Sequence, residues 1–247
     1  MAFSPAPPVR GMLFDIEGTT SSVSFVYEVL FPYARQHLAA FLKEYWNHPD
    51  TQAACELVAK DAGYTSLDAW TLDDSDTAQH EAVTAVLLDQ MDRDVKATGL
   101  KAIHGLVWEA GHASGELRAH VYEEVADCLR AWKDAGIDLR IYSSGSIKAQ
   151  HLFFGHSAAG NLLPLFSGHY DTTTGPKREQ ASYAAIATAF GIPAGELLFF
   201  SDVVEELDAA RSAGWQTVLV VRPGNAPVAD GHGHPVIADF TEIRVVS

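Results

Sequence analysis

Two carboxylates stand two residues apart near the beginning of this 247-residue chain, at Asp15 and Glu17. They follow a short apolar run from Val9 to Phe14, which is typical of a buried parallel strand, and Gly18 with two threonines comes next. In an open α/β sheet the reactive groups lie beyond the carboxyl ends of the strands. A polar strand end with a simple turn would produce a similar pattern, although it needs only the Asp and the glycine.

Further polar side chains follow two other predicted strands and one predicted loop. Alone, a hydroxyl at a strand end is usually a helix cap, and a single lysine is usually a solvated surface residue. Because the predicted topology places all of these groups at one edge of a sheet, we interpret them together with Asp15 and Glu17 as one site. Its further members are Ser143, Ser144, Lys177, Ser201, Asp202 and Glu206.

The charge balance of the chain is strongly acidic. It has 17 lysine and arginine residues against 32 aspartate and glutamate residues, a formal net charge of −15. A nucleic-acid-binding protein is expected to carry a basic face, so this balance argues against nucleic acid as a partner. The global field would also repel an anionic substrate, so a phosphate site here needs a metal, a lysine or helix N-termini to attract its ligand locally.

Composition indicates an ordinary globular protein of the cytoplasm. Hydrophobic residues make up 47% of the chain and charged residues 20%. No apolar run approaches the roughly 20 residues that span a membrane, and the N-terminal MAFSPAPPVR has no apolar signal-peptide core. Cys55 and Cys128 form no metal-spaced pair, and we interpret them as reduced thiols. We therefore expect no membrane partner.

The segment 22–120 has the periodicity of helices and no strand of convincing length. Ser24 is predicted to cap a short helix that begins at Phe25, and Pro32 fits the first turn of a longer helix. Further helices are expected at 50–62, 76–91 and 99–110. The predicted inward face of the longer helix carries Leu38, Phe41, Leu42 and Tyr45.

The rest of the chain alternates helices with strands, which predicts a doubly wound parallel sheet with right-handed crossovers, a Rossmann-like α/β fold. Helices are expected at 121–135, after Ser146, at 179–190 and at 203–213, and strands at 137–141, 166–170, 196–200, 216–221 and near Ile237. The predicted division is a core of 1–21 and 119–247, with an inserted helical cap at 22–118 and hinges near 20–24 and 115–121.

These residues resemble the core motifs of the haloacid dehalogenase-like phosphatase superfamily. Within it the chain is similar, over essentially its whole length, to the enolase-phosphatase E1 family, the acireductone synthases. Glu17, where most of the superfamily has Asp, is itself a mark of that family. The segments that carry the resemblance are Asp15-Ile-Glu-Gly-Thr-Thr-Ser-Ser-Val-Ser-Phe-Val, Gly115-Glu-Leu-Arg-Ala-His-Val-Tyr, Tyr142-Ser-Ser-Gly-Ser, Leu152-Phe-Phe-Gly-His-Ser and Asp171-Thr-Thr-Thr-Gly-Pro-Lys.

The resemblance implies phosphoryl transfer with one Mg²⁺ per monomer. Asp15 would attack phosphorus and form an aspartyl-phosphate. Glu17 would protonate the leaving group and then deprotonate the hydrolytic water. The other carboxylate oxygen of Asp15, the carboxylate of Asp202 and the main-chain carbonyl of Glu17 would hold the hard Mg²⁺ ion.

The resemblance also assigns the phosphate-binding groups and a second reaction. Lys177, Ser143 and Ser144 would bind the phosphate, and Glu206 would orient metal-bound waters or Lys177. The family enolises 2,3-diketo-5-methylthiopentyl-1-phosphate before it removes the phosphate, and the product is the acireductone of methionine salvage. Glu17 is an economical candidate for the enolisation base, although the cap could supply another.

Three alternatives stay open from the sequence. The chain could be another Mg²⁺-dependent phosphatase or a phosphomutase-like relative that acts on a different small phosphate ester. The dehalogenase branch fits less well, because it works without Mg²⁺ and has no need of Glu17. The fold could also serve as a catalytically silent binding scaffold. We expect the protein to be a monomer whose substrate is a small phosphorylated diketone.

Overall fold

Six parallel strands form one sheet in the computed structural model, which describes residues 3–6, 8–70 and 76–245. The strands are β1 (Gly11–Phe14), β2 (Asp138–Tyr142), β3 (Phe166–Tyr170), β4 (Leu197–Ser201), β5 (Gln216–Val220) and β6 (Val236–Ile237). Their order across the sheet is β3-β2-β1-β4-β5-β6, and every neighbouring pair is parallel. This arrangement confirms the predicted doubly wound α/β sheet.

Ten helices are found among the described residues. They are α1 (Val23–Phe25), α2 (Phe31–Tyr45), α3 (Pro49–Asp61), α4 (Leu67–Trp70), α5 (Asp76–Asp92), α6 (Thr98–Ser114), α7 (Val125–Asp134), α8 (Ile147–Gly155), α9 (Gln180–Phe190) and α10 (Val204–Ser212). A π-helical turn, Val26–Leu30, joins α1 to α2. This turn and the short helix α4 carry no strong periodicity of their own, and the sequence did not predict them.

Strand β1 lies at the centre of the sheet, and apolar side chains cover it on both faces. All four of its residues are buried. On one face Phe14 stacks on Trp132 of α7, with ring centroids 5.8 Å apart. On the other face Leu13 belongs to a cluster with Ile186 of α9 and Leu207 of α10. A strand buried on both faces reads as a continuous apolar run, which is why the sequence pattern predicted it.

The register of β1 brings three strand ends together. Phe14 lies opposite Ile141 of β2 and Phe200 of β4. The residues that follow β1, β2 and β4 therefore emerge side by side, at the point where the strand order reverses. In open α/β folds this switch point is where ligands bind.

The chain divides into two compact units, one made of Met1–Val26 with Arg118–Ser247 and the other of Tyr27–Leu117. The first contains the sheet. The second contains α2 to α6, and its core includes the fully buried Leu38, Val58, Leu87 and Ile103. The role of this helical unit as a cap stays a prediction. No helix in the described part of the chain is long and apolar enough to cross a bilayer.

Three local predictions were wrong. Helix α1 begins at Val23 and is capped by Ser22, not Ser24, because Ser22 has an extended backbone and accepts a hydrogen bond from the N–H of Phe25 (3.2 Å). Tyr45 is 40% exposed and stacks on the outer side of Phe41 (5.0 Å between centroids), so it does not belong to the inward face of α2.

The third correction concerns α7, which begins at Val125 and not at Val121. The N–H of Ala119 donates to the carbonyl of His156 (3.0 Å), and the N–H of Tyr122 donates to the carbonyl of Thr20 (3.2 Å). These bonds to distant segments hold residues 119–122 out of a helix, so long-range pairing overrides the local periodicity.

Candidate active site

Asp15 is the first residue beyond β1, and the backbone around it is tightly fixed. Its N–H donates to the carbonyl of Phe200 at the end of β4 (3.0 Å). The N–H groups of residues 19–21 all donate to the carbonyl of Ile16, at 3.2, 3.0 and 2.9 Å. This closed turn needs a left-handed residue, and Gly18 supplies it with φ at 72°.

Lys177 lies between two carboxylates at this edge of the sheet. Its Nζ is 2.7 Å from Oδ1 of Asp15 and 2.8 Å from Oε2 of Glu206, and its side chain is only 9% exposed. The N–H of Ile16 donates to the same Oδ1 (2.8 Å), and the hydroxyl of Ser201 donates to Oε2 of Glu206 (3.0 Å). The structure thus brings Asp15, Lys177 and Glu206 together in one buried chain of polar contacts.

The loop that carries Lys177 is held by two buried tyrosines. The hydroxyl of Tyr142, at the end of β2, donates to the carbonyl of Gly175 (2.7 Å), and the hydroxyl of Tyr183, on α9, donates to the carbonyl of Lys177 itself (2.7 Å). Both tyrosines are fully buried. Rigid elements therefore fix the backbone from which the Lys177 side chain reaches Asp15.

Charges at the site favour an ammonium group on Lys177. Burial alone would lower the pKa of Lys177, but the carboxylates of Asp15 and Glu206 raise it above its usual value. The pKa of Glu206 is raised by burial and by the negative charge of Asp15, and Lys177 partly opposes this rise. The ammonium is therefore the charge that stabilises this group of acids.

Glu17 has the electrostatic environment of a general acid. Burial, and then the charge of Asp15, raise the pKa of Glu17 above its usual value, which favours the protonated carboxyl. The hydroxyl of Ser143 is 3.5 Å from Oε2 of Glu17, a long contact, and Ser143 also accepts from the N–H of Gly145 (3.1 Å). Ser143 is buried, whereas Ser144 is exposed, so Ser143 is the one of the pair that contacts a carboxylate of the site.

Asp202 follows β4 and lies directly against the turn after β1. A Cβ built on Gly18 would be only 2.2 Å from Oδ2 of Asp202, so no larger residue fits at position 18 while this carboxylate holds its place. Burial and the charge of Asp15 raise the pKa of Asp202 to about 7. Asp202 thus approaches the backbone at Gly18, the residue that follows Glu17.

This donor set fits a hard cation such as Mg²⁺. Burial and the charge of Asp15 raise the pKa values of Glu17, Asp202 and Glu206, and the ammonium of Lys177 opposes each rise. A divalent cation would relieve this excess of negative charge, and oxygen is the ligand atom that Mg²⁺ prefers. Within the described ranges no three His, Cys, Asp or Glu side chains are arranged to hold a metal ion. The predicted set needs only two carboxylates and one main-chain carbonyl, and it stays a prediction.

The sequence reasoning missed two residues that hold the turn after β1. Nδ2 of Asn225 donates to the carbonyl of Gly18 (2.9 Å), and Nε of Arg222 donates to the carbonyl of Thr19 (3.1 Å). Both residues follow β5, so their position just beyond the end of a strand could have predicted that they lie near the site. The Arg-Pro-Gly-Asn sequence, however, also reads as an ordinary turn.

Comparison with known proteins agrees with this geometry. The family model of the haloacid dehalogenase-like hydrolases matches residues 9–214. The enolase-phosphatase E1 of Pseudomonas aeruginosa (strain UCBPP-PA14) is 49% identical over 237 residues, which cover 96% of this chain and 99% of that protein. The enolase-phosphatase E1 of Drosophila mojavensis is 45% identical and covers 94% of each chain.

A solved structure of similar fold is the UTR4 protein of Saccharomyces cerevisiae. It superposes with a TM-score of 0.75 at 35% sequence identity, over 94% of this chain and 99% of that one. The similarity extends over both compact units of the chain, so the sheet and the helical segment 27–117 are shared features.

Proposed function

The chain belongs to the enolase-phosphatase E1 family of haloacid dehalogenase-like hydrolases, and from that premise we propose that it is a Mg²⁺-dependent enolase-phosphatase. Its substrate would be 2,3-diketo-5-methylthiopentyl-1-phosphate, and its products the acireductone 1,2-dihydroxy-3-keto-5-methylthiopentene and phosphate, a step of methionine salvage. That it is a phosphatase follows from its family. The substrate, the cofactor and the residue roles below are the proposal.

Asp15 acts as the nucleophile. An oxygen of its carboxylate forms a bond to phosphorus while the bond from phosphorus to the substrate oxygen breaks, which leaves an aspartyl-phosphate and an alkoxide. Contacts to Lys177 and to the N–H of Ile16 hold the Asp15 side chain in one orientation. The ammonium of Lys177 also neutralises negative charge on the phosphoryl oxygens, with the hydroxyls of Ser143 and Ser144 as further phosphate ligands.

Glu17 moves the proton in both halves of the reaction. Its raised pKa favours the protonated carboxyl, which donates the proton to the departing alkoxide. The resulting carboxylate then takes a proton from the water that attacks the aspartyl-phosphate. Glu17 is also our candidate for the base of the preceding enolisation step: as the carboxylate it removes the proton next to the carbonyl, and this is the proton that it then donates to the departing alkoxide.

The carboxylates of Asp15 and Asp202, with the main-chain carbonyl of Glu17, would hold one Mg²⁺. When bound, this ion supplies positive charge to the phosphoryl oxygens and to the oxygens of the enolising diketone. Glu206 keeps the Lys177 ammonium beside Asp15, since its Oε2 lies 2.8 Å from Nζ.

One observation carries this proposal: the 2.7 Å contact between the buried Lys177 ammonium and Asp15, directly beyond the central strand. The test is to supply the diketo phosphate to the purified protein in the presence of Mg²⁺ or of EDTA. Formation of acireductone is followed by absorbance, and the released phosphate is measured. We expect both products with Mg²⁺ and neither with EDTA.

Asp15→Asn should abolish turnover, with a loss of at least about a thousandfold, and leave the circular dichroism spectrum unchanged. Asp127→Asn is the matched control, because the side chain of Asp127 is 86% exposed on α7. Turnover of Asp15→Asn within tenfold of the parent protein would exclude Asp15 as nucleophile. Phosphate release from the diketo phosphate without acireductone would instead show a phosphatase that lacks the enolisation step.

A further inference from the structure

A short segment that follows β5 folds back onto the turn after β1 through the side chain of Asn225. Its Nδ2 donates to the carbonyl of Gly18 (2.9 Å) and to the carbonyl of Val220 (3.2 Å). One amide group therefore ties the turn that carries Glu17 to the end of β5, a strand two places away from β1 in the sheet.

The orientation of this amide is unambiguous. Both contacts are to carbonyl oxygens, which only accept hydrogen bonds, so the nitrogen must face them and Oδ1 must face away. Oδ1 of Asn225 is buried and has no hydrogen-bond partner among the described residues. A buried acceptor without a partner is unfavourable unless something absent from the chain itself supplies a hydrogen.

That acceptor points toward the predicted metal site. A Cβ built on Gly18 would lie 3.0 Å from Oδ1 of Asn225 and 2.2 Å from Oδ2 of Asp202. The two oxygens are therefore on the same side of Gly18. The unpartnered acceptor therefore lies near the carboxylate of Asp202, beside the residue that follows Glu17.

The segment that carries Asn225 is itself firmly attached. Arg222 donates from Nε to the carbonyl of Thr19 (3.1 Å) and pairs with Glu124 (2.6 Å). The N–H of Asn225 donates to the carbonyl of Arg222 (3.1 Å). Two successive carbonyls after Glu17 are thus held by one rigid segment, which is the arrangement that a fixed carbonyl ligand requires.

We propose that Asn225 is a positioning residue of the site: it orients the Glu17 carbonyl through its bond to Gly18, and its Oδ1 would accept a hydrogen bond from a water of the hydrated Mg²⁺ when that ion is bound. This inference rests on the proposed function. It predicts that Asn225 affects Mg²⁺ affinity and turnover rather than substrate affinity.

The test uses two substitutions in the full chain. Asn225→Leu keeps the branching at Cγ and removes every polar contact of the amide. Asn225→Asp keeps Oδ1 and adds a charge that attracts cations, but it replaces the Nδ2 donors with a second acceptor that faces the Gly18 carbonyl. The matched control is Asn161→Ala, since Asn161 is exposed and caps a surface turn through the N–H of Leu163.

Mg²⁺ alone is titrated by isothermal calorimetry, and kcat and KM are measured with p-nitrophenyl phosphate. For Asn225→Leu we expect Mg²⁺ affinity and kcat each to fall at least about tenfold, with KM within threefold. For Asn225→Asp we expect kcat to fall about as much as for Asn225→Leu, even if the added charge maintains Mg²⁺ affinity. Asn161→Ala should match the parent protein.

Mg²⁺ affinity and kcat of Asn225→Leu within twofold of the parent would overturn the inference. A loss of kcat that only follows a loss of folded protein in circular dichroism would also overturn it, because that is a structural role alone. Absence of Mg²⁺ binding by the parent protein would refute the proposed cofactor, and the inference with it. Binding by the parent with unaffected variants would refute the role of Asn225 and leave the proposed function intact.

Discussion

One ammonium group, that of Lys177, balances several buried acids. It contacts Asp15 and Glu206 directly, and the rise in the pKa of Asp202 would be larger without its opposing charge. Breaking a buried ion pair by removing one partner is strongly destabilising, because the other charge stays buried without compensation. Lys177 is therefore expected to support both the phosphoryl-transfer chemistry and the stability of the fold.

Lys177→Met should lower the free energy of unfolding by about 3–5 kcal/mol at pH 8 and by clearly less at pH 5. Without the ammonium, the pKa of Glu206 in the folded protein rises further above its unfolded value. A carboxyl with a raised folded pKa favours the folded state at low pH, and this contribution is lost as the pH rises through the folded pKa. Urea denaturation at both pH values measures the effect.

The second substitution Glu206→Gln, added to Lys177→Met, should recover part of the stability at pH 8, since it removes one of the uncompensated charges. Lys133→Met is the control, because Nζ of Lys133 donates to the hydroxyl of Ser167 (3.1 Å) rather than to a carboxylate of the site. An equal loss of stability at pH 5 and pH 8, without rescue, would show that packing rather than charge is responsible.

At the scale of secondary-structure elements, helix α9 and strand β2 hold the loop before α9 in place. This loop has no regular hydrogen-bonded ladder of its own, and Tyr142 and Tyr183 supply donors to its carbonyls at Gly175 and Lys177. A flexible four-carbon lysine side chain reaches a fixed point only if its backbone is fixed. The two tyrosine hydroxyls meet that need.

Tyr183→Phe removes one of these donors with almost no change in shape. We expect the free energy of unfolding to fall by roughly 1 kcal/mol and kcat to fall more than KM changes, because Lys177 loses its fixed position relative to Asp15. Kinetics with p-nitrophenyl phosphate and thermal denaturation measure the two effects. Tyr64→Phe, at an exposed tyrosine, is the control. A normal kcat in Tyr183→Phe would mean that this hydroxyl stabilises the loop without positioning Lys177.

At the scale of the whole molecule, each compact unit has its own apolar core and a histidine whose pKa is lowered; His104 is buried and His169 is partly buried. His104, in the unit Tyr27–Leu117, lies near the rings of Phe31 and Trp108, with centroids 5.6 and 5.3 Å from its own. Burial lowers the pKa of His104 to about 4. In the sheet-containing unit, burial and then the neighbouring His151 lower the pKa of His169 to about 4 as well.

These shifts predict that the protein loses stability in mild acid. Between the folded pKa of about 4 and an unfolded value of about 6.5, the unfolded chain binds a proton at His104 that the folded chain does not bind. Stability therefore falls as the pH falls through this window and is fully present above it. His104→Phe keeps an aromatic ring of similar size, and it should make the melting temperature less sensitive to a change from pH 7.5 to pH 5.

His48→Asn is the control for this comparison, since the side chain of His48 is 57% exposed and Asn retains a side-chain acceptor for the cap of α3. Equal pH sensitivity in His104→Phe and in the parent protein would assign the acid instability to other groups.

The sequence by itself determined the parts that follow from local pattern. The apolar runs before Asp15 and Asp202 predict buried strands, and their polar ends predict an edge with reactive groups, because a parallel sheet buries both faces and exposes its strand ends. Helix periodicity predicted α2, α3, α5 and α6 to within a few residues. The motif residues also carried the family resemblance.

Only the tertiary structure decided which groups touch. That Lys177 reaches both Asp15 and Glu206, that Ser143 rather than Ser144 contacts Glu17, and that Asn225 binds the Gly18 carbonyl depend on segments up to 207 positions apart. Long-range bonds likewise moved the start of α7 to Val125. Local periodicity contains no information about such contacts, because they form only when strand order and register bring distant segments to one edge of the sheet.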